Sequence, residues 1–424
     1  MSQIAEHPVE ESTAPPRSGK AAVAWLVAAI FYFYQYVLRS APSVMMPQLA
    51  EAFGLSALGL ASLIGLFYYG YSPFSLLAGA ALDRLGPRRV MPIAAFVIGL
   101  GALLFSLGNP NLVSLGRFLQ GIGGAFAAVG AIYIASTNFP PSQAATLIGA
   151  TQMFGMAGGS AGQFAVGPLI TRGLAWQNFW RAMAGLGVVI GIILILLLGQ
   201  DNKPRAKAAS WKDTLSAFRT VFVNPQSILC GLIAGLLFIP TTIFDMIWGV
   251  RYLQEAHSLE YASAVMRSAA VPVGWIIGCP LLGFISDRIG RRKPVIVVSS
   301  LILMACLIWI LFGEEGVLPR YSLALLSGLV SGAAMLPYTI IKEANPPHVG
   351  GTAAGVINFL NFTFSALLGP LFGWLLRNVS QGAMRMEHAH YQIAFAPLIL
   401  GVAIAIVLTF FLKETGSAVR PQSY

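Results

Sequence analysis

Gly79-Ala80-Ala81-Leu82-Asp83-Arg84-Leu85-Gly86-Pro87-Arg88-Arg89 stands between two long apolar runs. Gly283-Phe284-Ile285-Ser286-Asp287-Arg288-Ile289-Gly290-Arg291-Arg292-Lys293 stands between two others. Gly, Asp, Arg, Gly and the closing basic pair recur at a single offset of 204 residues. A second echo keeps nearly the same register: Thr146, Gly149 and Gln152 return as Thr352, Gly355 and Asn358 at an offset of 206. Two parallel halves are therefore written in the chain.

Working outward from the two loops, apolar runs fall at roughly 21–47, 57–82, 90–108, 111–137, 143–170 and 178–199. After a polar stretch at 200–225 a second set follows, at roughly 226–253, 260–286, 294–313, 319–341, 352–376 and 391–412. Hydrophobic residues make up 56% of the 424-residue chain and charged residues 10%. A soluble domain carries about 25% charged residues, so this composition belongs to helices embedded in a bilayer. The reading is an all-α membrane protein of twelve transmembrane helices in two pseudo-symmetric six-helix bundles. Residues 21–199 form the first bundle and 226–412 the second. A disordered start (1–20), a linker (200–225) and a tail (413–424) complete the chain.

The net charge of +10 does not signal nucleic acid, because the basic residues sit in short loops between apolar runs. Most cluster at one set of loops and at the termini. Arg172, Arg181, Arg251, Arg267, Arg320, Arg377 and Arg385 fall in or near the opposite loops, and Arg39 and Arg117 fall within spans. This asymmetry places both termini in the cytoplasm, with the protein in the cell's inner (plasma) membrane. Residues 1–20 are polar, and the first apolar run is too long for the core of a cleavable signal peptide. In the linker, Trp211–Val223 has the pattern of an amphipathic helix at the membrane surface. Cys230, Cys279 and Cys306 lie in apolar runs without metal or redox spacing, and read as buried small hydrophobes.

The two loops resemble the signature loop of the major facilitator superfamily, G-x-x-x-D-R-x-G-x-R-[RK] between spans two and three. Arg117-Phe118-Leu119-Gln120-Gly121-Ile122-Gly123-Gly124-Ala125 resembles that superfamily's span-four motif. The resemblance implies a monomeric secondary transporter that works by alternating access, without cofactor or metal. It also implies a conformational gate built from Gly79, Asp83, Arg84, Gly86 and Arg88 with Gly283, Asp287, Arg288, Gly290 and Arg292. Gly79 and Gly283 suit close helix packing, and Asp83 and Asp287 can pair with nearby Arg residues and helix ends. In the family the span-four Arg, here Arg117, is associated with proton coupling or with helix packing, and both roles stay open. One departure counts against drug export. Gly155-Met156-Ala157-Gly158-Gly159-Ser160 lacks the Pro that drug antiporters of the superfamily carry after the second of these paired glycines.

The resemblance places the substrate near the midplane, on spans one, four, seven and ten and their neighbours. Tyr32, Gln35, Tyr36 and Arg39 share a helical face in span one. Arg39 either snorkels outward or faces a cavity, where its planar fork suits a carboxylate or phosphate. Thr241, Asp245 and Trp248 share a face in span seven. Shifting Arg39 by the repeat offset lands at Asp245 or just before it, so an Arg and an Asp hold near-equivalent places. Asp245 can carry a proton, bridge to Arg39 across a cavity, or form a static ion pair. Asn358, Asn361 and Ser365 form a polar stripe in span eleven, which suits either substrate binding or helix–helix hydrogen bonding. Gln152 is the repeat partner of Asn358. Tyr68, Tyr69, Tyr71, Tyr133 and Tyr338 can wall the site.

Two groups of strings, Phe31-Tyr32-Phe33-Tyr34-Gln35-Tyr36 leading to Arg39, and Lys342-Glu343-Ala344-Asn345-Pro346-Pro347, resemble bacterial phagosomal-type nutrient transporters. Lys342 and Glu343 also suit a simple helix end. No phosphate loop, metal spacing or nucleophile motif is present, so the chain reads as no enzyme, and its energy comes from a gradient. The expectation is a proton-coupled symporter of an amino acid or another carboxylate-bearing nutrient. A short-peptide or organic-anion transporter, and an efflux antiporter, are the alternatives.

Overall fold

The structure, a computed structural model, describes residues 18–55, 57–140, 143–198, 211–313, 320–381, 383 and 386–418. The expected disordered start up to residue 17, the linker residues Lys203, Arg205 and Lys207, Arg385 and residues 419–424 lie outside the described residues. Among the described residues the chain is helical and has no strand.

The first half begins with a broken span: Ser18–Ser40, a 3₁₀ turn at Ala41–Met45, and Met46–Phe53. Spans two to four are Ala57–Leu85, Pro87–Ser106 and Pro110–Asn138. Span five is Ala144–Phe164, extended by Val166–Thr171, and span six is Trp176–Leu197. The linker helix, Trp211–Val223, has the bounds read from the sequence.

The second half repeats the order. Span seven is Pro225–Ile239, a wider π-helix at Pro240–Gly249, and Val250–His257. Span eight is Tyr261–Ser268 and Ala270–Ile289, and span nine is Lys293–Phe312. Span ten is Arg320–Ser331, a 3₁₀ turn at Gly332–Met335, and Leu336–Glu343. Spans eleven and twelve are Gly350–Val379 and His388–Phe411. Among the described residues, ten of the twelve are long and apolar enough to cross a membrane. The second and fifth fill the remaining places in the repeat.

Local chemistry explains many boundaries. Pro110 and Pro225 open their helices, where the missing N–H costs nothing. The side chains of Asn109 and Asn224 cap those helices by accepting backbone N–H groups of the first turn. Gly86 and Gly290 turn the two signature loops at φ of 74° and 69°, a region a side chain rarely tolerates. Pro42, Pro240 and Pro337 sit at or beside the breaks in spans one, seven and ten, where a helical N–H donor is missing. Broken spans put backbone irregularity where two bundles meet, as expected near a membrane transport site.

The outer surface is a belt of exposed apolar side chains, including Ile93, Leu196, Ile393, Leu400 and Phe410. Such a belt is stable only against lipid. The halves meet through spans two with eleven and five with eight. A methyl group on Gly79 would collide with the Gly351 carbonyl, and one on Gly283 with that of Ala145. These glycines let backbones approach where larger residues would hold the halves apart. Cys230, Cys279 and Cys306 are buried and unpaired.

Candidate functional site

The two signature loops lie at one end of the molecule and grip the opposite half. Asp83 Oδ1 accepts the Gly351 N–H at 3.0 Å, and its Oδ2 accepts the N–H and hydroxyl of Thr352, both at 2.8 Å. Asp287 Oδ2 accepts the N–H and hydroxyl of Thr146 at 3.0 and 2.9 Å. Each carboxylate therefore caps the N-terminus of a helix in the other half, span eleven in one case and span five in the other. Unsatisfied N–H groups and the helix dipole favour an anion there.

The two grips are not equivalent. Asp287 also takes Arg292 Nη1 at 2.6 Å, and Arg292 Nη2 donates to Glu343 Oε1 at 3.0 Å. Burial pulls the Arg292 guanidinium down, but the carboxylates of Glu343 and Asp287 outweigh it and hold the group above its ordinary value. Asp83 has no such arginine among the described residues. Lys342 lies near it and donates from Nζ to the Ile132 carbonyl of the first half at 3.3 Å. Glu343 and Lys342 thus join this network instead of merely ending span ten. Arg88 makes no described bond, and Arg288 is exposed beside the Asp287 grip, so neither joins a carboxylate there.

Further along the interface the halves share a polar seam. Asn358 Nδ2 donates to Ser75 Oγ at 2.9 Å and to Tyr71 Oη at 3.2 Å. The Tyr338 hydroxyl donates to Asn358 Oδ1 at 3.1 Å and accepts Asn361 Nδ2 at 2.9 Å. Ser72 and Thr363 bond at 2.7 Å, and Ser365 bonds Thr242 at 3.1 Å. The span-eleven stripe therefore does structural work in this conformation. Gln152 plays the matching part in the first half, accepting Tyr32 and donating to Tyr36.

Arg39 lies past the end of this seam, at the break in span one. Its Nε and Nη2 both donate to Tyr68 Oη, at 3.2 and 3.0 Å. The guanidinium carbon stands 4.7 Å from the Tyr36 ring centre, 4.9 Å from Tyr68 and 4.8 Å from Phe362. Tyr36 and Tyr68 belong to the first half and Phe362 to the second, so the cation sits between the halves in an aromatic cup. Among the described residues, Arg39 Nη1 is buried without a hydrogen-bond partner and no carboxylate is paired with Arg39. The side chain does not snorkel to the surface; it is buried.

Other predicted site residues are arranged differently. Arg117 donates to the carbonyls of Leu38, Arg39 and Ile64 and to Gln120 Oε1, at 2.9–3.2 Å. In this conformation it ties the broken end of span one to spans two and four. Gln35 packs against Gly124 of span four, and both of its amide heteroatoms are buried without partners. Thr241 accepts the Trp275 indole N–H at 2.9 Å. Trp248 packs near Gly373 and beneath Arg251, with its indole N–H unpartnered. Tyr69 is half exposed on the outer belt and forms no wall.

Asp245 does not meet Arg39. Its Oδ1 accepts the Ser268 hydroxyl at 3.0 Å, and it faces a cavity of about 50 Å³ inside the second half. Arg39 lies twenty-one residues past Ser18 and Asp245 twenty past Pro225, so the depth read from the repeat is closely matched while the facing is not. Ser268 and Phe362 had no sequence signal of their own. Phe362 is detectable only as the residue one turn beyond Asn358.

The family description "Major Facilitator Superfamily" matches residues 28–370. The hexuronate transporter of Bacillus subtilis is 26% identical over 361 residues, covering 79% of this chain and 83% of that protein. The probable galactarate/D-glucarate transporter of Escherichia coli is 23% identical over 427 residues, covering 87% and 91%. Among solved structures, the transporter FucP in its outward conformation superposes with a TM-score of 0.68 at 17% identity, covering 93% of this chain and 100% of that one. That likeness concerns the fold alone.

Proposed function

The chain belongs to the Major Facilitator Superfamily, and on that premise we propose that it takes up a small hydroxylated organic anion together with protons. It is a secondary transporter of small metabolites, a multi-pass membrane protein and not an enzyme. The finer reading rests on Arg39. A buried guanidinium without a carboxylate is expensive in a membrane interior. Its aromatic cup stabilises it only in part, and Nη1 is left unspent. A carboxylate arriving between the halves would supply the missing bond and charge.

The class of anion follows from what surrounds Arg39. A zwitterionic amino acid needs a carboxylate opposite the guanidinium. Asp245 is turned into the second half, so an acid without an ammonium group is the better fit. The relatives named for hexuronate and for galactarate or glucarate carry acids of this kind. The strings that resemble phagosomal-type nutrient transporters support uptake over export.

In this reading residues 21–199 and 226–412 rock about the anion as two bodies, joined by a cytoplasmic linker at 200–225. Both termini are cytoplasmic and the protein works as a monomer in the inner membrane. The Asp83 and Asp287 grips then close the cytoplasmic end, leaving the Arg39 site to the outside. Release of the grips and closure beyond Arg39 carry the anion across.

The test is uptake of labelled D-glucuronate, glucarate, an amino acid and a dipeptide into proteoliposomes under an inward proton gradient. Uptake of the hydroxylated acids, abolished by a protonophore and by Arg39→Ala, supports the reading. Uptake of the amino acid alone, or equal uptake by Arg39→Ala, contradicts it.

A further inference from the structure

Asp245 is a carboxylate deep in a span that the anion site leaves unused. It lies five residues into the π-helical segment Pro240–Gly249 and is buried. Its described partner is the Ser268 hydroxyl. The cavity of about 50 Å³ beside it is walled by spans seven to ten, all in the second half. Ser327 and Ser331 line that cavity while their hydroxyls donate to the carbonyls of Ala324 and Ser327, at 2.8 and 2.7 Å. Both oxygens keep acceptor capacity toward the cavity. The space is large enough for water, and the polar wall would hold it.

A carboxylate buried in this way must be neutralised by a proton or by a cation in contact. Among the described residues no cation lies within ion-pair distance of Asp245. Besides Asp245, the charged or titratable groups on the cavity wall are Arg267 from span eight and Tyr252 from span seven. Spans nine and ten contribute only apolar and hydroxyl side chains to it. A hard metal cation needs about six or more oxygen ligands, whereas a proton needs one carboxylate oxygen; with one carboxylate and a few hydroxyls on the wall, the proton is the fitting ligand.

We infer that Asp245 and this cavity form the coupling-proton site, housed within the second half and separate from the anion site at Arg39. The inference rests on the proton-coupled reading above. A proton arriving through cavity water binds an Asp245 carboxylate oxygen, and the same proton leaves from it after the halves have rocked. The π-helical segment gives a mechanical link. Thr242 on it bonds Ser365 of span eleven at 3.1 Å, and Met246 on it approaches Gly159 of the first half. Charge at Asp245 and packing between the halves therefore act on one stretch of irregular backbone.

Two measurements test this on the full chain in proteoliposomes. Infrared difference spectra between acid and alkaline buffer should show a titrating carboxyl band in the wild type and in Arg39→Ala. The band should vanish in Asp245→Asn and return in Asp245→Glu, whose extra methylene the cavity can hold. The second measurement is D-glucuronate accumulation. One proton per monoanion moves no net charge, so one pH unit should drive about tenfold accumulation. The ratio of accumulation to equilibrium exchange should fall about tenfold in Asp245→Asn and recover in part in Asp245→Glu. A band that persists in Asp245→Asn, or accumulation by it equal to the wild type's, overturns the site. Accumulation driven by a sodium gradient at equal pH overturns the proton assignment. If the wild type exchanges no glucuronate, the anion reading falls, while the infrared band still decides Asp245.

Discussion

Arg39 and Arg117 are both buried near the break of span one, Arg39 among the rings of Tyr36, Phe67, Tyr68 and Phe362 and Arg117 over the ring of Phe67. Their partners separate their roles. Arg117 spends its donors on three backbone carbonyls and Gln120. Arg117→Ala should cost about 2 kcal/mol of stability, since several such bonds vanish together. A lower melting temperature of the purified protein checks this, with glucuronate affinity little changed in the folded fraction. Arg39 spends two donors on one hydroxyl and keeps a third. Arg39→Lys retains the charge but loses the planar fork, about 1.5 kcal/mol or more. Uptake at low substrate should then fall about tenfold or further, with recovery at high substrate. The sequence showed that Arg39 lies too deep to be an ordinary loop charge. It could not show the cup, because Tyr68 and Phe362 come from other spans and only folding brings them to it.

At the scale of the element, the carboxylate-to-helix grips are the most informative feature. Asp83 holds the N–H groups of Gly351 and Thr352 in the first turn of span eleven, and Asp287 that of Thr146 in the first turn of span five. Asp83→Asn removes the charge and part of the acceptor capacity, a loss of about 2 kcal/mol at a helix N-terminus. The closed end should then open about 30-fold more often. Spin labels at Leu85→Cys and His348→Cys, both at this end and exposed, would read a longer-distance population. An unchanged distance distribution would contradict the role of the grip. The repeat made both aspartates legible, since Gly, Asp, Arg and Gly return at one offset. The helix ends they reach were not, because those lie 268 and 141 residues away.

Span seven shows the other limit of reading from sequence. Its length and the depth of Asp245 followed from hydropathy and the repeat. The facing did not, because a helical wheel assumes α-helical winding throughout. Over Pro240–Gly249 the chain winds more widely, so each residue turns through a smaller angle. By Asp245 the side chain has drifted from the face that an α-helix predicts, toward Ser268 and away from Arg39.

At the scale of the whole molecule, hydropathy alone indicated a chain that crosses the membrane many times. The paired loops indicated two halves, and the structure shows what they do: each half caps a helix of the other. Hydrogen bonds described between the halves run from these grips through the Asn358 seam and stop short of Arg39. Arg39, the proposed anion site, thus lies where the gripped region ends, with the Asp245 cavity off to one side. The most direct test of this arrangement is calorimetric titration of D-glucuronate into the purified wild type and Arg39→Ala. Saturable binding to the wild type is expected, weakened at least about 30-fold in Arg39→Ala, as when one partner of a buried charge pair is removed. Equal affinity in the two proteins would show that the anion does not bind at Arg39.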